Sequence, residues 1–387
     1  MKVIQVTDKS TVNEFHLLPE KIYKNDPNWI PTLRNLIENT FNPAKNAKFK
    51  NGDAKRWVVK RNGECVGRIA AFYDSDYSSS YDQPTGGCGF FECINNQEVA
   101  SLLFDTAKNW LQKNGMEAMD GPINFGENFF FWGLLVERFQ PQTFGMQYHL
   151  KYYRELFENY GFKTFYEQYS YSLDITNPDL PDRFWKIAAW VAQKPGYSFE
   201  HFQQKNKDKY IYDFIEIHRQ AWNTHGNYKP VRYEQIKELI RDSKILIEEE
   251  FIWFAYHNNQ PVAFFMMLPD LNQIVRKLKT GKLNVFKFLQ LLYLKKTKII
   301  SRCRVIVLGV IPKYQNKGLE SGIFFHLKKV MLKKMWYNEM EMSWVGDFNP
   351  KMNALFKSFG ASKTLTHLTL RYLFDKAKTF SRAPIIN

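Results

Sequence analysis

The spacing of apolar residues changes from a strand pattern to a helix pattern in the last quarter of the chain. Residues 304–310 form a β-branched run that predicts a buried strand, and Pro312 then removes a backbone donor and ends it. From Leu319 the apolar residues recur at helical spacing, at Leu319, Ile323, Phe324, Leu327, Val330, Met331 and Met335. The pattern predicts a strand, a turn and a helix.

The turn between these two elements has the features of an anion-binding site. Residues 315–318 precede the first helical turn, where backbone N–H groups lack helical partners and the helix dipole is positive. Gly318 permits close approach of the backbone to a phosphate, and Lys313 and Lys317 add positive charge. The sequence therefore predicts that a phosphate group binds here.

Further elements are predicted on both sides of this site. Residues 251–257 and 261–268 flank a polar turn and predict a hairpin, and residues 340–345 predict a short strand. The first half of the chain repeats this order. It contains a hairpin around Asn62 and Gly63, a strand at 89–94, a helix with apolar residues from Val99 to Leu111, and a short strand at 117–120.

Two motifs of the second half resemble those of the GNAT acyltransferase superfamily. Val310-x-Pro312-x-x-Gln315-x-x-Gly318-Leu319 resembles its pyrophosphate segment, V-x-P-x-x-[QR]-x-x-G-x-[GA]. Asn349-x-x-Met352-x-x-Leu355-Phe356-x-x-x-Gly360-Ala361 has the spacing of its fourth helix, N-x-x-A-x-x-L-Y-x-x-x-G-F. The chain departs from the family at Glu320, where glycine or alanine is usual, and at Phe356, which replaces a tyrosine that often protonates the leaving thiolate.

The resemblance implies a fold, a domain plan and a coenzyme site. The fold class would be α/β, with two GNAT-like halves in tandem, each a mixed central sheet flanked by helices. The halves would span residues 1–176 and 197–387, joined by 177–196. Acyl-CoA or acetyl-CoA would be the co-substrate, with no metal, and would be held by Gly309, Val310, Gln315, Asn316, Lys317, Gly318, Leu319 and Asn349.

The first half is predicted to lack a coenzyme loop. Its strand at 89–94 passes into the following helix through Asn95, Asn96 and Gln97, with neither glycine nor a basic residue. Only the second half is therefore expected to bind CoA. In that half, backbone groups near Gly309 and Val310 are expected to stabilise the developing oxyanion.

Composition and cysteine content place the chain among globular proteins of a reducing compartment. Of its 387 residues 44% are hydrophobic and 17% aromatic, a content that excludes a disordered chain. The four cysteines show no metal-ligand spacing and are expected to be reduced core thiols. No N-terminal signal sequence is visible, so a cytoplasmic location is expected.

Part of the net charge of +15 is concentrated in an insertion at residues 271–304. The insertion is basic and also carries apolar residues at helical spacing, such as Val285, Phe288, Leu289 and Leu292. It is too short and too charged to span a bilayer. Two interpretations stay open: a helix in an anionic membrane surface, at the inner face of the cytoplasmic membrane, and a helix packed on the second half. Nucleic acid is not an expected partner, because no recognition motif is found.

A second cluster of polar residues follows the short strand at 117–120. Asn124, Glu127 and Asn128 are candidates to orient an amine or a hydroxyl group, and Trp132 is a candidate substrate contact. The alternative is an Asx-rich connection whose amides satisfy only the backbone. Asp347 occupies the corresponding place in the second half. The candidate catalytic residues are Asn124, Glu127 and Asp347, and either carboxylate is a candidate general base.

A weaker resemblance extends over most of the chain. The opening segment 18–31, the hairpin residues 66–69 and the turn 121–125 resemble a tandem-GNAT group that includes bacterial ceramide synthases, which acylate a sphingoid base. This resemblance implies an acyl-CoA-dependent N-acyltransferase of a lipid amine. Two alternatives are an acetyltransferase of a small amine or amino acid, and a catalytically silent protein that binds acyl-CoA or a membrane.

Overall fold

In its described residues, the first half of the chain forms seven strands and five α-helices. The computed structural model describes residues 1–79, 81, 83–177, 181–222, 230–358 and 360–386. The elements are β1 (Lys2–Gln5), α1 (Lys9–Ile22), α2 (Arg34–Thr40), β2 (Gly52–Arg61), β3 (Glu64–Asp74), α3 (Ser75–Ser78), β4 (Thr85–Cys93), α4 (Gln97–Lys113), β5 (Ala118–Gly121), β6 (Leu134–Glu137), α5 (Tyr153–Tyr160) and β7 (Lys163–Asp174).

The rest of the chain begins with a helix inside the predicted connection 177–196. Its elements are α6 (Asp182–Ala192), β8 (Tyr197–His201), α7 (Lys207–Trp222), α8 (Tyr233–Asp242), β9 (Ile252–His257), β10 (Gln260–Pro269), α9 (Asn272–Leu278), α10 (Val285–Lys296), β11 (Arg302–Val310), α11 (Leu319–Lys333), β12 (Glu339–Gly346), α12 (Pro350–Ser358) and β13 (Ser362–Leu373). Residues 178–180, at the start of the predicted connection 177–196, lie outside the described residues.

All these strands belong to one mixed sheet that runs through both halves. The order is β1-β2-β3-β4-β5-β13-β7-β12-β11-β10-β9-β8, and β6 pairs with β13 beside this path. The last strands of the two halves are exchanged, because β13 pairs with β5 and β7 pairs with β12. Each half therefore completes its sheet with a strand from the other half. The domain bounds drawn from the sequence remain a prediction.

A buried ion pair joins the exchanged strand β13 to the first half. The guanidinium of Arg371 donates to both carboxylate oxygens of Asp120 on β5, at 2.6 and 2.7 Å. The hydroxyl of Tyr77 donates to the same carboxylate at 2.6 Å, and the Arg371 guanidinium lies 3.6 Å from the ring centre of Phe165. Asp120 is completely buried, so the pair is shielded from water.

Local signals explain the hairpins. Asn62 and Gly63 have φ of 52° and 83°, the left-handed values that a two-residue type I′ turn requires. Asn258 and Asn259, with φ of 47° and 62°, make the same kind of turn between β9 and β10. Asparagine tolerates this conformation better than other non-glycine residues, so both turns lie where the sequence predicts them.

Candidate active site

Strands β11 and β12 diverge in the middle of the second half. Their parallel pairing runs from Arg302 opposite Glu339 to Val305 opposite Met342 and stops there. On the other side of β11, the register with β10 skips Ile306, since Met266 faces Val307 and Met267 faces Val305. Ile306 therefore has no partner residue in either ladder. Beyond it, one edge of β11 faces the opening between the two strands.

This opening can receive a flat polar group that needs backbone hydrogen bonds. Peptide groups on the diverging edge are held rigidly by β10 and do not use their second side for pairing with β12. Gly309 and Val310, the predicted oxyanion donors, lie opposite Phe264 and Ala263 of β10 and face the same opening. The opening begins at Ile306, three residues before the predicted position. Which peptide group contacts a substrate remains a prediction.

The predicted anion loop lies directly after the open end of β11. Residues Pro312–Tyr314 form a 3₁₀ turn, and the Gln315 side-chain amide donates to Val310 O at 3.2 Å. Asn316 and Gly318 both have positive φ, 61° and 76°, and α11 begins at the next residue. Within the described chain, no acceptor is found for the backbone N–H groups of residues 316–319. These groups are therefore available to a phosphate.

The charges around the loop are mixed. Lys313 and Lys317 are exposed, and their ammonium groups lie 5.9 and 4.7 Å from the ring centre of Tyr314. Glu320, in the first turn of α11, is partly buried, and this burial raises the pKa of its carboxyl group. A raised pKa favours the neutral acid, which lessens repulsion of a bound anion. The departure from the GNAT motif at Glu320 therefore repels a bound phosphate only where this carboxyl group is ionised.

Helix α6 closes one side of the loop. A Cβ atom at Gly318 would lie 3.2 Å from Val191 Cγ2 and 3.4 Å from Ser321 Oγ. The same side chain of α6 limits space at Gly322, where a Cβ would lie 3.3 Å from Val191 Cγ1. The connecting segment therefore forms part of the wall of the candidate coenzyme site.

The second motif shapes the entrance to α12. Asn349 accepts a hydrogen bond from the backbone N–H of Met352 at 3.1 Å and so caps this helix. Phe356 is buried, and its ring packs edge-on against Tyr171 at 5.5 Å. The Tyr171 hydroxyl donates to Asn353 Oδ1 at 2.8 Å. A coenzyme contact by Asn349 remains a prediction.

The equivalent opening in the first half is filled by the chain itself. Strands β4 and β5 pair in parallel only as far as Gly87 opposite Asp120. The segment that follows β5 then enters the space, because the Ile123 N–H donates to Cys88 O at 2.9 Å. A Cβ at Gly89 would lie 1.8 Å from Ile123 O, so only glycine fits. This filling agrees with a coenzyme site in the second half alone.

The predicted acceptor residues Asn124 and Trp132 line one small cavity of about 40 Å³. Lys48, Asp74, Tyr77 and Gly126 also line it. Asn124 is 8% exposed, and its Oδ1 has no hydrogen-bond partner among the described residues. An unpaired buried amide oxygen is a ready acceptor for an ammonium or hydroxyl group.

Aromatic side chains connect this cavity to the opening between β11 and β12. The indole N–H of Trp132 donates to the Tyr166 hydroxyl at 2.9 Å, and the ring of Tyr166 stacks on Trp344 at 5.8 Å. Trp344 belongs to β12 beyond its last pair with β11, and its indole N–H donates to Asn128 O at 2.7 Å. The predicted acceptor segment and the open strand edge are therefore neighbours.

The two candidate bases differ in their surroundings. One Asp347 oxygen accepts from the Glu167 N–H at 3.1 Å, and the other pairs with the Arg382 guanidinium. Glu127 is exposed. The pKa of the Lys48 ammonium group is raised, mainly by Asp74, and the negative charge of Glu127 adds to this effect. The catalytic role of either carboxylate stays a prediction.

Sequence reasoning missed a buried arginine at the edge of the opening. The Arg304 guanidinium donates to Ser343 Oγ at 2.6 Å and to the backbone oxygens of Phe144 and Phe129, each at 2.8 Å. Burial lowers the pKa of Arg304 to about 10, against the opposing effect of Glu341. Arg304 ties the first-half segment to the open strands. The available signal was an arginine at the start of the apolar run 304–310.

Unpaired polar atoms lie on the neighbouring strands β7 and β13. His367 is completely buried, and its Nε2 lies 3.0 Å from Gln147 O, so that Nε2 carries the proton. Its Nδ1 has no partner among the described residues, nor do Gln168 Nε2 and Ser170 Oγ. Burial lowers the pKa of His367 to about 4, so the imidazole stays neutral at neutral pH. Such groups indicate a polar interior beside the opening.

Cys65, Cys88, Cys93 and Cys303 are free thiols. Within the described residues, no group of three histidine, cysteine or acidic side chains is arranged to hold a metal ion. Across the same residues, none of the helices combines the length and the apolar character that crossing a membrane requires.

Comparisons with known proteins find relatives that are similar to this chain over most of its length. The chain is 26% identical to the bacterial ceramide synthase of Caulobacter vibrioides over 393 residues, covering 97% of both chains. It is 27% identical to protein YghO of Escherichia coli over 359 residues, covering 92% of this chain and 90% of that protein. No model of a protein family matches the chain.

Solved structures share the fold of this chain. A tandem GNAT protein from the clavulanic acid biosynthesis pathway superposes with a TM-score of 0.58, although only 12% of residues are identical. The match covers 97% of this chain and 99% of that structure. The predicted fold class, two GNAT-like halves built on a mixed sheet, is confirmed.

Proposed function

We propose that this chain, which has the fold of tandem GNAT proteins, transfers an acyl group from acyl-CoA to the amine of a lipid. The observation that carries the proposal is the opening between β11 and β12, which leads into the anion loop at residues 315–319. The printed name of the Caulobacter relative, a ceramide synthase, supports a lipid amine as the acceptor.

The second half would hold the coenzyme. The free N–H groups of Asn316, Lys317, Gly318 and Leu319 would bind its pyrophosphate, with the Gln315 side chain bracing the loop. The thioester would lie in the opening, where backbone N–H groups of the unpaired β11 edge stabilise negative charge on the carbonyl oxygen. Asn349 would contact the coenzyme at the opposite wall of the opening. The first half, whose opening is filled, would bind no coenzyme.

The acceptor would approach from the junction of the two halves. Its polar head would occupy the cavity beside Asn124, whose unpaired Oδ1 accepts a hydrogen bond from an ammonium or hydroxyl group. Asn128 and Trp132 would line the path toward Trp344 and the thioester. We propose that the protein lies in the cytoplasm at the inner face of the membrane, because a long-chain amine partitions into lipid.

The reaction needs one base and one proton donor. The base takes one proton from the acceptor ammonium, and the amine nitrogen then attacks the thioester carbon. As the C–N bond forms, the nitrogen gives up its second proton to water, and the C–S bond breaks. Glu127 and Asp347 are the candidate bases, and the Arg382 ion pair makes Asp347 the more restrained of the two. Since Phe356 cannot donate a proton, the leaving thiolate would take one from water or from another side chain.

Turnover with defined substrates tests this proposal. The purified chain is incubated with sphinganine and either acetyl-CoA or palmitoyl-CoA, while free thiol and product mass are followed. Amide formation with palmitoyl-CoA is the expected result. If only small amines were acylated, with acetyl-CoA as donor, the acceptor would be a small amine and not a lipid. If the chain bound CoA but acylated no amine, the proposal of an enzymatic function would be wrong.

A further inference from the structure

Helix α10 presents apolar side chains to solvent. The exposed fractions are 72% for Val285, 81% for Phe286, 45% for Phe288, 57% for Leu289 and 67% for Tyr293. Only Leu291 of this helix is fully packed inside, with 1% exposure. Five large exposed apolar residues on a helix of 12 residues form a continuous patch, which soluble proteins rarely expose without a partner.

Basic residues flank this patch in the sequence. Residues 271–301 contain eight lysines and arginines and no acidic residue. The exposed ones are Arg276, Lys277, Lys279, Lys282, Lys296 and Lys298. An apolar helix face with positive charge beside it is complementary to a surface with an apolar interior and negatively charged groups at its boundary with water. An anionic lipid bilayer has this character.

The patch is fixed to the body of the protein. The Arg34 N–H of the first half donates to Gly281 O at 2.9 Å, and the Arg276 guanidinium donates to Pro27 O at 3.1 Å. A Cβ at Gly281 would lie 2.0 Å from Thr32 O, so this close contact requires glycine. The insertion therefore joins both halves and holds α10 in a defined orientation beside their junction.

We propose that α10 and the basic residues around it form a docking surface for an anionic lipid bilayer, with the helix lying in the membrane surface. A helix of 12 residues is about 18 Å long and cannot cross the roughly 30 Å hydrocarbon core. The inference deepens the proposed function, on which its biological meaning rests, by naming the surface from which the lipid amine would be drawn.

Vesicle flotation tests the surface without any catalytic step. The full chain is mixed with vesicles of phosphatidylcholine alone or with one third phosphatidylglycerol, and the bound fraction is measured. Phe286→Ser with Leu289→Ser removes the apolar contact, and Lys282→Glu with Lys296→Glu reverses two exposed charges. Lys295 and Lys298 are left unchanged because they contact Ile245 O and the Trp336 ring.

Matched variants at other surfaces provide the controls. Ile187→Ser with Trp190→Ser removes two exposed apolar side chains of α6, at the far end of β11 from the insertion. Lys9→Glu with Lys113→Glu makes the same charge change on the first half. Each variant is checked for folding by thermal unfolding and for oligomeric state by size-exclusion chromatography with light scattering.

The outcomes separate the alternatives. We expect binding only to the anionic vesicles, a loss of at least thirtyfold in the charge variant, at least tenfold in the apolar variant, and no loss in the controls. Equal losses in the controls, or no binding of the wild type, would overturn the inference. A change of oligomeric state in the apolar variant without loss of vesicle binding would assign the patch to a second copy of the chain instead. Because no acyl-CoA is present, failure here leaves the proposed activity standing.

Discussion

Replacing Gly318 with aspartate should abolish coenzyme binding while the fold is retained. Gly318 has φ of 76°, and the free N–H groups of the anion loop surround it. A carboxylate at this position would lie next to the bound pyrophosphate. At a separation of roughly 4 Å and an effective dielectric constant of about 20, two unit charges of like sign repel by about 4 kcal/mol. This energy corresponds to a loss of about a thousandfold in affinity.

The matched variant Gly318→Asn separates charge from shape. Asparagine has the same size as aspartate, and both tolerate left-handed φ better than other side chains. Both variants carry the same contact with Val191, where the new Cβ lies 3.2 Å from Cγ2. The backbone conformation should cost about 1 kcal/mol in each case, which lowers the melting temperature of a chain this long by no more than about 2 °C.

Calorimetric titration with CoA measures the difference between the two variants. We expect Gly318→Asn to bind CoA with a modest loss and Gly318→Asp to show no measurable binding, at equal thermal stability. If the aspartate variant bound CoA as tightly as the asparagine variant, the pyrophosphate would not lie at this loop.

Three further predictions concern the rest of the site and the exchanged strands. Glu320→Gln should tighten CoA binding several-fold at neutral pH. Burial raises the pKa of Glu320 in the folded protein. The neutral side chain therefore favours the folded state at acidic pH, and this contribution to stability is lost as the pH rises through the raised pKa. The free energy of unfolding that Glu320→Gln gains, measured in urea, should accordingly increase with pH. Asn124→Ala should raise KM for the amine in initial-rate assays but leave CoA affinity unchanged, and a fall in CoA affinity would argue against an acceptor role. Asp120→Asn leaves the buried Arg371 without its counter-ion and should destabilise the chain by about 3–5 kcal/mol, and a loss below 1 kcal/mol in urea unfolding would contradict a structural role for the pair.

Local chemistry made the elements around the coenzyme site predictable. The Asn-Gly turn at residue 62, the β-branched run that ends at Pro312 and the apolar spacing from Leu319 depend on residues near in sequence. The structure accordingly contains β2, β3, β11 and α11 where these patterns predict them. The anion loop followed from the same local information, because it lies between two such elements.

The exchanged strands and the buried contacts at the opening could not be predicted from the sequence. The pairing of β13 with β5 joins residues about 250 positions apart, and no periodicity encodes which edge a strand selects. The contacts of Arg304 with Phe129 and Phe144 have the same long-range origin. For α10 the composition indicated an apolar helix, but only the packing decided that Leu291 turns inward and Phe286 outward.

A crystal structure of the chain with bound palmitoyl-CoA tests the central claim most directly. We expect one coenzyme per chain, with its pyrophosphate on the N–H groups of residues 316–319 and its thioester between β11 and β12 near Ile306. A coenzyme bound in the first half, or bound outside the opening of the second half, would contradict the account.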